Sequence, residues 1–224
     1  ATIGTLGIKI KNFKKTKLTS LDIISLHKEL ALLKEKKIDN VLIEASSHGL
    51  DQGRLSGIKF KAGVFTNLSQ DHLDYHKSMK KYLNAKLILF SKNIEKNSYI
   101  ISDSSLKEFN KLKNIAIRKK LKIKDIQSSE DLELMNFNLL GAFQKKNLLM
   151  AIKVCEILGL KEKSILKAIT KIKSVKGRLE LVRILNNNSK VFVDFAHTPQ
   201  AVETVVKTLK DHYKENLTIV IGCG

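Results

Sequence analysis

Proline occurs once in this chain, at Pro199, tryptophan not at all, and cysteine only as Cys155 and Cys223. One proline and eleven glycines in 224 residues leave no Pro/Gly-rich linker and exclude collagen-like or low-complexity architecture. Two distant cysteines without metal-ligand spacing supply neither a disulfide framework nor a zinc site, which suits a reducing, cytoplasmic compartment. No apolar run approaches the roughly eighteen residues of a transmembrane helix, so no membrane partner is expected. The opening Ala1-Thr2-Ile3-Gly4-Thr5 has neither a basic n-region nor a small-residue cleavage site, and no signal peptide is expected. There is no internal repeat.

Arginine is also scarce. The formal charge is +19, yet Arg54, Arg118, Arg178 and Arg183 are the only arginines, and the rest of the positive charge is lysine spread along the chain. Nucleic-acid readers favour Arg for bidentate contacts and interleave aromatics for stacking. Neither pattern occurs, so no nucleic-acid partner is expected. The lysines suit a solvated surface, and their summed field could also draw in anionic small molecules.

What the chain does have is 43% hydrophobic residues, enough for a sizeable core in one or two domains. Leu21, Ile24, Leu26, Leu30 and Leu33 recur at helical spacing, so residues 21–36 are expected to form an amphipathic helix capped by Thr19 or Ser20, with Asp22 in its first turn. Residues 41–43 and 62–65 are short apolar runs ending in polar motifs, as buried parallel strands do. Further strands are expected at residues 99–101, 190–195 and 217–221, and residues 119–133 alternate only weakly. Helices are expected over residues 147–158, 163–172 and 199–213, the last with Pro199 at its start. Alternating strands and helices give an α/β fold with a mainly parallel sheet. Three consecutive asparagines, Asn186 to Asn188, followed by Ser189, favour a turn. They suggest a division into residues 1–185 and 186–224.

Chemistry-bearing residues cluster at the strand ends. After residues 41–43 comes Glu44-Ala45-Ser46-Ser47-His48-Gly49-Leu50-Asp51-Gln52-Gly53-Arg54, and after residues 62–65 comes Asn67-Leu68-Ser69-Gln70-Asp71-His72-Leu73-Asp74-Tyr75-His76. Hydroxyl, amide and guanidinium groups at a strand's C-terminal end can hold carboxylates or phosphates. Glu44 alone could be a solvated strand end, and His72 a turn residue. Lys86 falls in the middle of an apolar helical arc with Met79, Tyr82, Leu83, Leu89 and Phe90. Such a lysine either snorkels to water or remains a desolvated, nucleophilic amine.

These motifs, with Tyr82-Leu83-Asn84-Ala85-Lys86, Gly141-Ala142-Phe143-Gln144-Lys145-Lys146-Asn147, Lys176-Gly177-Arg178-Leu179-Glu180 and Asp194-Phe195-Ala196-His197-Thr198-Pro199, occur in the order found in the Mur ligases. Within that family the chain resembles the MurE type. The resemblance implies a central ATPase domain and the start of a second α/β ligase domain. It implies an ATP-dependent carboxylate–amine ligase of peptidoglycan synthesis, monomeric and cytoplasmic, acting on UDP-MurNAc-L-Ala-D-Glu. A diamino acid, meso-diaminopimelate on family prevalence, would be added through an acyl phosphate. Lys86 would be carbamylated and, with Glu44 and His72, would ligate Mg²⁺. Thr19, Ser20, Ser46, Gln52 and Arg54 would contact the UDP-MurNAc-dipeptide, and Asn147, Arg178, Asp194 and His197 would contact ATP. His48 would make a structural hydrogen bond. Leu21 stands where the family has Pro, and Gln144 where it has the first Asn of an adenine-side pair. No G-x-x-x-x-G-K-[ST] phosphate loop is present, so an internal segment, inactive by itself, is expected. Another Mur-type or folylpolyglutamate-type ligase is the alternative within the fold. A basic nucleic-acid-binding module is the alternative outside it.

Overall fold

The computed structural model describes residues 1–10, 13–127, 139–214 and 216–222. Its elements run β1 (Thr2–Gly4), β2 (Gly7–Lys9), β3 (Phe13–Lys14), α1 (Ile23–Glu35), β4 (Leu42–Ile43), α2 (Ser47–Asp51), β5 (Phe60–Val64), α3 (Leu73–His76), α4 (Met79–Ile88), β6 (Ile94–Ser102), α5 (Phe109–Lys119), β7 (Lys122–Asp125), α6 (Ala142–Ile157), α7 (Glu162–Ile169), β8 (Glu180–Ile184), β9 (Lys190–Val193) and α8 (Pro199–Tyr213). A π-helical turn, Leu89–Asn93, continues α4. The strands form a four-stranded sheet ordered β3-β2-β1-β4, a three-stranded sheet β5-β6-β7, and the pair β8-β9. The fold is α/β: the β5-β6-β7 sheet is parallel and flanked by helices, and β8-β9 is antiparallel.

The chain divides into two compact units, one of Ala1–Gly63, His72–Ile100 and Lys107–Ile123, the other of Val64–Asp71, Ile101–Leu106 and Lys124–Gly224. In the first unit, β1 runs parallel to β4, with Ile3 opposite Ile43. Ile3, Ile8, Leu26, Leu33, Leu50 and Leu55 form one core cluster around this sheet. Leu26 and Leu33, seven residues apart on α1, are essentially inaccessible, and each burial stabilises by about 2 kcal/mol. The cap of α1 is Asp22, whose carboxylate accepts from Ser25 N at 2.9 Å, and not Thr19 or Ser20 as expected from sequence. This hydrogen bond also holds the Asp22 carboxyl below its usual range. Ser20 is unavailable as a cap because its hydroxyl is engaged elsewhere.

In the second unit, α6 and α7 pack through Leu148, Ile165 and Ile169. Asn186 to Ser189 form the loop of the β8-β9 hairpin, so residues 185 and 186 lie between two hydrogen-bonded strands. Helix α8 matches the expected residues 199–213, with the Thr198 hydroxyl accepting from Ala201 N and Pro199 opening the first turn. Residues 217–221 do not form the expected strand. Among the described residues no strand pairs with them, and Ile219, Val220 and Ile221 are exposed. Of the weakly alternating stretch, Lys122–Asp125 form β7, while residues 128–133, like Cys223, lie outside the described residues.

Residues 102–104 read as a polar turn, but Asp103 is fully buried. Its carboxylate accepts from Lys146 Nζ at 2.5 Å, Ser105 N at 2.8 Å and Gln127 Nε2 at 3.0 Å. Burial alone would push this carboxyl up; the donors from Lys146, Ser105 and Gln127 outweigh it and hold the group well below the usual carboxylate range. A carboxyl depressed in the folded state stabilises above its unfolded value, near pH 4, and this contribution is lost as pH falls further. Asp103→Ala should therefore cost about 3 kcal/mol at pH 7. Urea unfolding across pH should show the gap to wild type narrowing below about pH 4; a pH-independent gap would mean that the charge is not what matters.

Candidate active site

The pairing of β4 with β1 fixes the first polar group. Glu44 N donates to Ile3 O at 2.8 Å, continuing the ladder one residue past the strand. The Glu44 carboxylate then accepts from Thr5 N at 2.7 Å and Thr5 Oγ1 at 3.0 Å. It can lie so close to β1 because Gly4 has no side chain: a Cβ there would sit 2.6 Å from Glu44 Oε2. The carboxylate is exposed, and Thr5 uses only two of its roughly four lone-pair positions. Thr19 meets the same Thr5 hydroxyl at 3.1 Å.

The loop after Glu44 is organised by Ser20, which is 1% exposed. Its hydroxyl donates to Glu44 O at 2.9 Å and accepts from Ser46 N at 2.9 Å, and its carbonyl accepts from Arg54 Nη1 at 3.0 Å. Ser46 caps α2, accepting from Gly49 N at 3.0 Å. Arg54 also donates to Gln52 Oε1, so the guanidinium links Gln52, at the C-terminal end of α2, to Ser20, which holds the Ser46 amide at the N-terminal end. Ser20, expected as a substrate contact, lies inside the loop with its hydroxyl both donating and accepting.

A ring cluster adjoins this loop. His72 enters α3 in the left-handed region (φ 54°), at a cost of about 1 kcal/mol. Its ring meets His48 at 4.9 Å and Tyr82 at 5.9 Å, centroid to centroid. Helix α4 starts at the Ser78 cap and carries Tyr82, Leu83 and Ala85 into the interior. Lys86 is half-buried, with its ammonium 4.9 Å from the centre of the same Tyr82 ring. It is thus neither a free snorkel nor fully enclosed. The structure brings His72 and Lys86 to one aromatic ring, while Glu44 is held by Thr5. Among the described residues, no three His, Cys, Asp or Glu side chains form a metal-ligand set.

Sequence reasoning missed the histidine–tyrosine cluster. His76 stacks on Tyr82 at 5.0 Å and meets the Ser47 hydroxyl at 2.9 Å, and Tyr75 lies 4.2 Å from His48. These five residues were all in the quoted motifs, but nothing in a linear reading joins positions 47–48 to 75–82. Ring packing is what holds His48. Burial, and then the neighbouring imidazoles, pull the His48 and His76 protonation equilibria down, which favours neutral rings at neutral pH.

The proposed ATP contacts lie in the second unit. Arg178 sits over the Phe195 ring at 5.0 Å, and Phe195 N donates to Gly177 O at 2.9 Å. Asp194 accepts from Leu179 N and Ala196 N, both at 2.7 Å, so its carboxylate ties together the loops carrying Arg178 and His197. His197 is exposed and 3.5 Å from Asp71 Oδ2. Asn147 is exposed on α6, separate in sequence from this loop cluster. Its neighbour Lys146 is the partner of Asp103.

Two family models match the chain: Mur ligase middle domain over residues 1–155, and Mur ligase, glutamate ligase domain, over residues 177–224. A UDP-N-acetylmuramoyl-L-alanyl-D-glutamate–2,6-diaminopimelate ligase of Rickettsia montanensis is 35% identical, covering 100% of this chain and 52% of its own length. A protein of the same name from Wigglesworthia glossinidia brevipalpis is 35% identical over 99% of this chain and 50% of its own. A solved structure with that name superposes with a TM-score of 0.74 at 27% identity, over 93% of this chain and 47% of the other. The chain spans about half the length of the curated relatives it matches.

Gly49 tests the loop's design. A Cβ there would lie 2.6 Å from Ser20 Cβ, 2.8 Å from Ser20 Oγ and 3.0 Å from Ser46 Oγ, with no flexible side-chain end to yield. Gly49→Ala should destabilise by about 1–3 kcal/mol and speed hydrogen exchange at the Ser46 amide. Unchanged stability and exchange would show that the loop does not depend on this close approach.

Proposed function

This chain belongs to the Mur ligase family, and we propose from that premise that the complete polypeptide performs ATP-dependent ligation of a diamino acid to UDP-MurNAc-L-Ala-D-Glu. The names of the relatives support meso-diaminopimelate as the incoming amine. The glutamate carboxylate attacks the γ-phosphorus of ATP, releasing ADP and forming an acyl phosphate. The amine of the diamino acid then attacks the acyl carbon, loses a proton and expels phosphate. A carboxylate must meet a polyphosphate, so cationic and donor groups have to surround the transferring group.

Thr19, Ser46, Gln52 and Arg54 are assigned to the UDP-MurNAc-dipeptide, with Ser20 holding them from within. Arg54 suits a carboxylate or phosphate of that substrate. Asn147, Arg178 and His197 are assigned to the nucleotide, with Asp194 bracing their loops. Glu44, His72 and a carbamate on Lys86 would hold Mg²⁺, since open carboxylate lone pairs and an exposed imidazole are donors this ion accepts beside phosphates. Bound there, the ion would offset charge on the phosphoryl oxygens. A cytoplasmic, monomeric enzyme completes the proposal; among the described residues no helix is long and apolar enough to cross a membrane.

The observation that carries this reading is the meeting of His72 and Lys86 at the Tyr82 ring. In the complete polypeptide, Lys86→Ala should lower ligation by about 10²-fold or more with an unchanged unfolding midpoint. Short carboxylic acids should restore part of the activity by standing in for the carbamate. Full activity of the variant without added acid would rule out the assigned role.

A further inference from the structure

Asp51, Gln52, Arg54 and Tyr75 are joined end to end by side-chain hydrogen bonds, and the roles assigned above leave Asp51 and Tyr75 unused. Arg54 Nη2 donates to Gln52 Oε1, Gln52 Nε2 donates to the Tyr75 hydroxyl at 3.2 Å, and that hydroxyl donates to Asp51 Oδ2 at 2.9 Å. The direction of this chain is forced from both ends. A guanidinium can only donate and an ionised carboxylate can only accept. The amide between them must therefore turn its oxygen to Arg54 and its nitrogen to Tyr75, and the phenol must point at Asp51. The tyrosine is itself fixed, its ring lying 4.2 Å from His48 and 4.7 Å from His76.

We propose that Tyr75, oriented by Asp51, is a positioning residue that sets the Gln52 amide and through it the Arg54 guanidinium for the anionic acceptor substrate. A Gln52 amide turned the other way would present its N–H groups to Arg54, donor against donor, and displace the guanidinium. The Tyr75 hydroxyl excludes that orientation by requiring a donor of its own. Arg54 is then anchored by Ser20 O on one arm and Gln52 Oε1 on the other before any substrate arrives. Pre-organisation of this kind improves binding by sparing the cost of ordering a long side chain. The inference rests on the assignment of Gln52 and Arg54 as substrate contacts.

The test uses the complete polypeptide with UDP-MurNAc-L-Ala-D-Glu as the varied substrate. Tyr75→Phe keeps the ring and removes the donor. It should raise the acceptor KM about fivefold, the size of one net hydrogen bond. The kcat should stay within about twofold, and the KM for ATP and the unfolding midpoint should be unchanged. A carboxylate at position 52 accepts on both sides and needs no tyrosine to orient it. In a Gln52→Glu background, Tyr75→Phe should therefore leave the acceptor KM nearly unaltered, a non-additivity that a merely structural role would not give. The same fivefold rise in both backgrounds, or none in either, would overturn the positioning role. Arg54→Ala separates the two levels. If it leaves the acceptor KM unchanged, the substrate assignment beneath the proposal has failed. If it raises KM while Tyr75→Phe does not, only the positioning role has failed.

Discussion

Ser20 is where the first unit is tied together. A single buried hydroxyl donates to the carbonyl of Glu44, just past β4, and accepts from the Ser46 amide in the loop, while the carbonyl of the same residue receives Arg54. Without these bonds, three buried or half-buried polar groups would lack partners, each at a cost of about 1–3 kcal/mol. Gly49 must be bare for α2 to approach Ser20, and Gly4 must be bare for Glu44 to lie against β1. Two glycines and one serine thereby hold a carboxylate, two hydroxyls, an amide and a guanidinium at the end of one short strand.

The aromatic cluster is the second level of order. Its rings come from α2, α3 and α4, and the Tyr82 ring among them meets both the His72 imidazole and the Lys86 ammonium. The Lys86 ammonium lies over the Tyr82 face, a favourable place for a cation. Asp103 in the second unit shows the opposite solution, a buried carboxylate that accepts from a lysine, an amide and a backbone N–H together.

The sequence made the strand–helix alternation legible because periodicity and capping are local. The helix over residues 199–213 and the polar runs after residues 43 and 64 are cases in point. The cap of α1 was misassigned because Ser20 and Asp22 are equally good caps by type. Only the β1–β4 pairing, between residues forty apart in the chain, claims the serine for the loop. The strand expected at residues 217–221 failed for the converse reason, since apolar residues make a strand only where another strand accepts them. Within the candidate site, Glu44, His72, Lys86, Gln52 and Arg54 were visible as residue types in a family-like order. The hub at Ser20, the buried Asp103 and the Tyr75 chain were not, because each depends on partners more than twenty residues away.

The central claim is that Ser20 builds, from within, the loop proposed to bind the substrate. Titration calorimetry of UDP-MurNAc-L-Ala-D-Glu onto the complete polypeptide tests it most directly, comparing wild type, Ser20→Ala and Ser20→Thr. The account predicts that Ser20→Ala weakens binding about tenfold or more, in line with about 1.4 kcal/mol for the lost bridge. Ser20→Thr, which keeps the hydroxyl, should retain most of the affinity. Wild-type affinity in Ser20→Ala would contradict the account.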